Sequence, residues 1–178
     1  MVNIIFIDDN YIYKNFPLPK RLDRGALLAL IQLEQFTSIQ DLLGTCLYED
    51  LESKVLAETL DADETGLFKL VKYSLAMYSV KSAISILRSE AVRTKNEEAK
   101  SDQYTLDAVS SSVESKLSYI NKRIVNYILE HEDIKDIATA DDCENDLFLE
   151  DDVYQGSIYY PKDGKEASDC DNLNVNLN

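Results

Sequence analysis

The sequence predicts a mainly α protein: a small helical bundle of four to five helices, with an extended N-terminal arm and an acidic, partly strand-like C-terminal tail. Three observations carry that prediction. Apolar residues recur at spacings of three and four along most of residues 20–131. Glycine (5) and proline (3) are too scarce in 178 residues for a turn-dense β fold. Charge is also uneven, because residues 132–178 hold 14 acids and 3 bases, a net −11 of the formal −15. The chain therefore divides into an arm (1–19), a helical domain (20–131) and an acidic extension (132–178). At this length a folded chain buries roughly 70% of its unfolded surface, enough for a core without staples.

The arm opens on Ile4, Ile5, Phe6 and Ile7, a run that favours a strand. Phe16-Pro17-Leu18-Pro19 favours extended backbone, since proline fixes its own φ and restricts the residue before it. With no hairpin partner in sequence, such a strand is expected to pair with the C-terminal region or with a neighbouring chain.

Asp23 is placed to cap the first helix, which carries Leu27, Leu30, Ile31 and Glu34 and is expected to close at Phe36. A short piece, 38–43, ends at Gly44, a favoured residue just past a helix end. A third helix, about 45–59, sets Leu47, Leu51, Val55 and Leu56 on one face. Asp61 or Asp63 starts the longest helix, about 64–92. Its broad apolar set (Leu67, Phe68, Val71, Leu75, Tyr78, Ala83, Ile84, Leu87) predicts contacts on more than one side. Residues 93–105 are polar without periodicity and read as a loop. The last helix, about 107–131, bears Val113, Leu117, Ile120, Ile124, Tyr127 and Ile128. From Glu132 the regular pattern stops. Ile158, Tyr159 and Tyr160 form a strand-like piece in an extension too polar to fold alone.

Composition excludes several functions. A net charge of −15 argues against a reader of nucleic acid, which needs a basic face to neutralise phosphates, and against an anionic membrane surface as partner. The most apolar stretch, 66–87, is broken by Lys69, Lys72 and Lys81, so no membrane span is expected. The three cysteines (Cys46, Cys143, Cys170) are odd in number, widely spaced and form no CxxC pair, so neither a zinc site nor a disulfide framework is expected.

Chemistry-bearing residues are few. His131 is the single histidine and no motif frames it; at a helix end its simplest role is structural. Asp61-Ala62-Asp63-Glu64-Thr65-Gly66 resembles the start of a calcium loop, but the twelfth position is Lys72, where a bidentate glutamate is required. Helix capping explains those acids better. The run of acids from Asp141 to Asp152 reads as a solvated segment. Tyr73, Tyr78, Tyr119 and Tyr127 are expected in the core or at its boundary. No phosphate-binding loop, dinucleotide fingerprint, nucleophile elbow or zincin motif is present. No catalytic, cofactor or metal residue is expected, and the chain reads as a non-enzyme.

Residues 28–51, LALIQLEQFTSIQDLLGTCLYEDL with its helix ending in glutamine, Ile39, Leu43-Gly44, Leu47-Tyr48-Glu49 and Leu51, carry one further signal. This pattern resembles head–tail connector (adaptor) proteins of tailed bacteriophages, in particular ring proteins of Bacteroides-type, crAss-like phages. The order of the later helices is also similar, so the resemblance covers about residues 20–131. It implies a small helical bundle assembled as a ring, typically dodecameric, beneath the portal. The ring would be a structural part of the virion neck, assembled in the host cytoplasm. It would join capsid to tail and surround genomic double-stranded DNA that passes without specific binding. Portal protein and the next neck or tail ring protein would be its neighbours. The resemblance implies Gly44 as a tight helix-to-helix turn and Leu47, Tyr48 and Leu51 as packing residues. Ile4, Ile5, Phe6 and Ile7, with Ile158, Tyr159 and Tyr160, are the expected interface elements. The alternative reading is a cytoplasmic acidic protein that mimics nucleic acid and blocks a basic partner.

Overall fold

A computed structural model describes residues 4–18, 22–94 and 97–140. The described residues are helical throughout, with short connections, and no strand forms among them. The elements are α1 (Asp9–Asn15), α2 (Arg24–Glu34), a π-helical turn (Gln35–Ile39), α3 (Gln40–Leu43), α4 (Thr45–Ala57), α5 (Ala62–Thr94), α6 (Glu97–Glu130) and α7 (Glu132–Ala138).

The frame is the long hairpin of α5 and α6, each roughly 50 Å long at 1.5 Å per residue. They run antiparallel, as three cross-links fix: Arg88 to Asp107 at 2.6 Å, Ser74 to Asn121 at 2.7 Å, and Tyr127 to the Asp63 carbonyl at 3.0 Å. The α6 stripe is Leu106, Val109, Val113, Leu117, Ile120, Ile124 and Ile128, spaced three, four, four and then three, four, four again. On α5 the successive residues Ser74, Leu75, Ala76 and Met77 are all buried. Four consecutive residues sweep most of a helix circumference, so α5 is covered all round at its middle, and its broad stripe does meet neighbours on more than one side. On its other side lie α1, α2 and the π turn.

A polar seam crosses the hairpin. Asn121, buried, accepts from the Ser74 hydroxyl through Oδ1 at 2.7 Å and donates from Nδ2 to the Tyr78 hydroxyl at 2.7 Å. Burial pushes the Tyr78 phenol up from its usual range. Further out, Glu34 accepts from Ser82 of α5 and Ser38 of the π turn, tying α2 to the hairpin.

Several sequence expectations are corrected. The predicted strand at Ile4–Ile7 does not form. Phe6 and Ile7 instead enter the chain's own core, and Asp8 caps α1 by accepting from the Tyr11 amide at 2.8 Å. That hydrogen bond holds the exposed Asp8 carboxyl below its usual range. Phe16 then stacks on Tyr73 of α5, ring centres 5.9 Å apart, so the arm belongs to the bundle. Phe36 does not end the first helix, which passes through the π turn. Leu27, Ile31, Gln35 and Ile39 recur every fourth residue and would drift around an α-helix. The wider turn offsets that drift and keeps all four buried.

The expected loop at 93–105 is helix from Glu97 and up to Thr94, because Glu, Ala, Lys and Gln favour helix without any apolar stripe. The helical body also passes residue 131. In α7, Ile134 and Ala138 are buried and pack toward α4 and α6. Seven residues with two inward positions were too short a signal to read as periodic. Leu56 (63% exposed) and Tyr119 (63% exposed) stand in solvent rather than in the core. Ile158, Tyr159 and Tyr160 lie outside the described residues.

Candidate functional site

The Leu28–Leu51 unit is where the structure concentrates the residues singled out from sequence. Gly44 ends α3 and starts α4 with φ 75° and ψ 157°, a backbone region that only glycine enters readily. The turn sends α4 back so that Leu47, Tyr48 and Leu51 are all buried. Tyr48 lies against Phe6 (5.6 Å between ring centres) and Phe36 (6.3 Å). Burial raises its phenol pKa.

The N-terminal segment is docked onto the same unit by one side chain that sequence reasoning passed over. Gln35 accepts from the Phe6 amide at 2.8 Å. Its Nε2 donates to the Ile4 carbonyl at 2.7 Å and to the Tyr48 hydroxyl at 2.9 Å. The glutamine amide thus bonds the groups flanking Ile5 much as a residue of a parallel strand would. Phe6 completes the seat, edge-on to Phe68 at 5.2 Å. A buried-facing glutamine amid an apolar every-fourth set was the available signal. Ile4 and Ile5 remain half-buried. On the outer side of this unit, Leu33 (54% exposed) and Phe36 (40% exposed) leave apolar surface uncovered, three residues apart on one helical face.

Two clefts open elsewhere. One, of about 610 Å³, lies at the end of the bundle where α4 meets α5 and α6 meets α7. Asp61 caps α5 by accepting from the Glu64 amide at 2.7 Å, and Glu64 reciprocates by accepting from the Asp61 amide at 3.0 Å. This capping pair accounts for two of the carboxylates that resembled a calcium loop. Lys72, at the twelfth position, sits 4.7 Å above the Phe68 ring. Lys54 bridges Glu64 and, at 2.8 Å, Asp50. Hydrogen bonds donated to Asp50 and Glu64 push Lys54 up to about 12. Across the cleft, the Tyr127 ring stacks on His131 with centres 4.0 Å apart. A carbonyl can only accept, so the 2.7 Å contact of His131 Nδ1 with the Tyr127 oxygen requires the proton on Nδ1. His131 Nε2 is then 3.7 Å from Asp63. Histidine here pins the α6–α7 corner, the structural role read from sequence.

Raising the pH tests this end of the bundle. Lys54's folded pKa exceeds its ordinary 10.5, so its stabilisation is complete below 10.5 and lost as pH climbs through about 12. Burial raises the phenols of Tyr48 and Tyr78 as well, and their contribution is lost in the same direction above 10.0. Urea unfolding of the parent and of Lys54→Met isolates the lysine. The gap in stability between them is expected to be constant below 10.5 and to shrink above it.

The second cleft, about 350 Å³, lies between the Asn15-Phe16-Pro17 segment and the hairpin. Tyr73 and Met77 of α5 and Val109 and Val113 of α6 form its walls, with Ala108, Ser112 and Lys116 along the rim.

Among the described residues no group of three or more His, Cys, Asp or Glu is arranged to hold a metal ion, and no helix is long and apolar enough to cross a membrane. No protein-family model, curated protein or solved structure matches the chain.

Proposed function

We propose that the chain is a virion structural protein: a head–tail connector subunit that forms a ring beneath the portal, joining capsid to tail around the DNA channel. The Leu28–Leu51 unit carries this reading. Its Gly44 turn and its buried Leu47, Tyr48 and Leu51 support the reading, since a tight turn and packing residues are the roles that the resemblance implies for them. The same unit leaves Leu33 and Phe36 uncovered on its outer side, apolar surface suited to a neighbouring copy. In a closed ring each subunit offers two different patches, and rotation closes the set. Charge supports the role physically. A channel that conducts DNA must not grip it, and each lysine or arginine on phosphate adds affinity by counterion release; a chain of formal charge −15 avoids that.

The test is the state of the purified full chain. Light scattering and negative-stain images are expected to show rings with a central opening, and the protein is expected in purified virus particles at the neck. A chain that stays monomeric at high concentration and is missing from particles overturns the reading. If such a monomer bound a basic protein with steep salt dependence, the acidic-mimic alternative would replace it. The carboxylates around the α4–α5/α6–α7 cleft (Asp61, Asp63, Glu130, Glu132, Asp133) would then be the surface to examine.

A further inference from the structure

The cleft between the Asn15–Pro17 segment and the hairpin has an apolar wall, a volume of about 350 Å³, and a single charged lining residue, Lys116. Lys116 is exposed and in no ion pair shown among the described residues. The site therefore asks for an apolar side chain or two with negative charge immediately beside them. The chain carries such a segment itself. Leu147-Phe148-Leu149 is flanked directly by Asp146 and by Glu150, Asp151 and Asp152. The other apolar piece of the extension, Ile158-Tyr159-Tyr160, is followed by Lys162, Asp163, Lys165 and Glu166, a flank without net charge that offers Lys116 less than the acids around Leu147–Leu149 do.

We propose that the Leu147–Leu149 segment of a neighbouring copy docks in this cleft, with Phe148 against Met77, Val109 and Val113 and an adjacent carboxylate beside Lys116. The neighbour is preferred to the same chain because only exchange between copies links subunits; docking within one chain is the outcome that the isotope labels below distinguish. Exchange of this kind is a heterologous contact, one patch given and a different patch received, which is what closes a ring. The inference rests on the proposed ring and names what links its subunits.

The experiment uses the full chain with a photo-cross-linking benzoylphenylalanine in place of Phe148. Equal amounts of ¹⁴N- and ¹⁵N-labelled protein are mixed, irradiated and digested. Mixed-label peptides joining position 148 to residues 73–77 or 108–116 are the expected result. Two exposed-position variants check the cleft without touching the core. Ala108→Trp fills it and Lys116→Glu reverses its charge; each is expected to lower the mixed-label yield about tenfold. Pairing Lys116→Glu with Glu150→Lys is expected to restore it, and circular dichroism verifies that each variant is folded. Rings without a cross-link to the cleft overturn this inference and leave the ring reading standing. Cross-links confined to one label overturn the exchange. A monomer without intermolecular cross-links overturns both.

Discussion

Replacing Gln35 with leucine is expected to lower the stability of the protein by about 3 kcal/mol, read as a fall in the urea midpoint with little change in slope. Leucine nearly matches the volume, so the cost comes from hydrogen bonds and not from a cavity. Three groups lose their partner together: the Phe6 amide, the Ile4 carbonyl and the Tyr48 hydroxyl. A buried group left unsatisfied costs roughly 1–3 kcal/mol, and release of the N-terminal segment to water limits the sum. Because that segment is the part set free, hydrogen exchange at the Phe6 amide is expected to accelerate before exchange in α5 or α6. A loss below about 1 kcal/mol, with Phe6 still protected, would mean that the Phe6 ring between Tyr48 and Phe68 holds the segment unaided.

Gly44→Ala is expected to cost about 2–3 kcal/mol, although the substitution adds only a methyl group. At φ 75° and ψ 157° a Cβ meets its own backbone, and no side-chain rearrangement relieves that. The chain's alternative is to reopen the α3–α4 turn, which lifts Leu47, Tyr48 and Leu51 from their packing. Thermal unfolding measures the loss. The same change at Gly25, an exposed helical position where an added Cβ meets only the movable Asp23 carboxylate at 2.9 Å, is the control, expected to fall within about 1 kcal/mol of the parent. Equal effects at the two glycines would show that the α3–α4 turn tolerates an ordinary residue.

The helical class was legible because long amphipathic stripes leave a strong periodic signal. Leu67 to Leu87 and Val113 to Ile128 were read correctly, and so were Gly44 and the acidic start of α5. Each departure has its own cause. Ile4–Ile7 is β-prone by composition, but local propensity is a weak preference that burial overrides, and Phe6 and Ile7 gain more from the core. The expected loop before residue 106 was misread because periodicity reports which face is buried, whereas helix itself needs only suitable residues. Helix α7 offers two inward residues, below what a period can register. Gln35 was invisible for another reason. Its importance lies in pairing with residues 29 and 31 positions earlier in the chain, and a linear reading of one segment cannot see the far partner.

The seam of Ser74, Tyr78 and Asn121 has a mechanical consequence. Apolar stripes alone would let two long rods slip past one another by a turn at little cost, since one leucine resembles the next. A one-turn slip here, about 5.4 Å, would strand the buried asparagine and the buried Ser74 hydroxyl and break the half-buried bond to Tyr78. The pair is therefore keyed to one alignment and behaves under axial load as a stiff strut rather than a telescoping one.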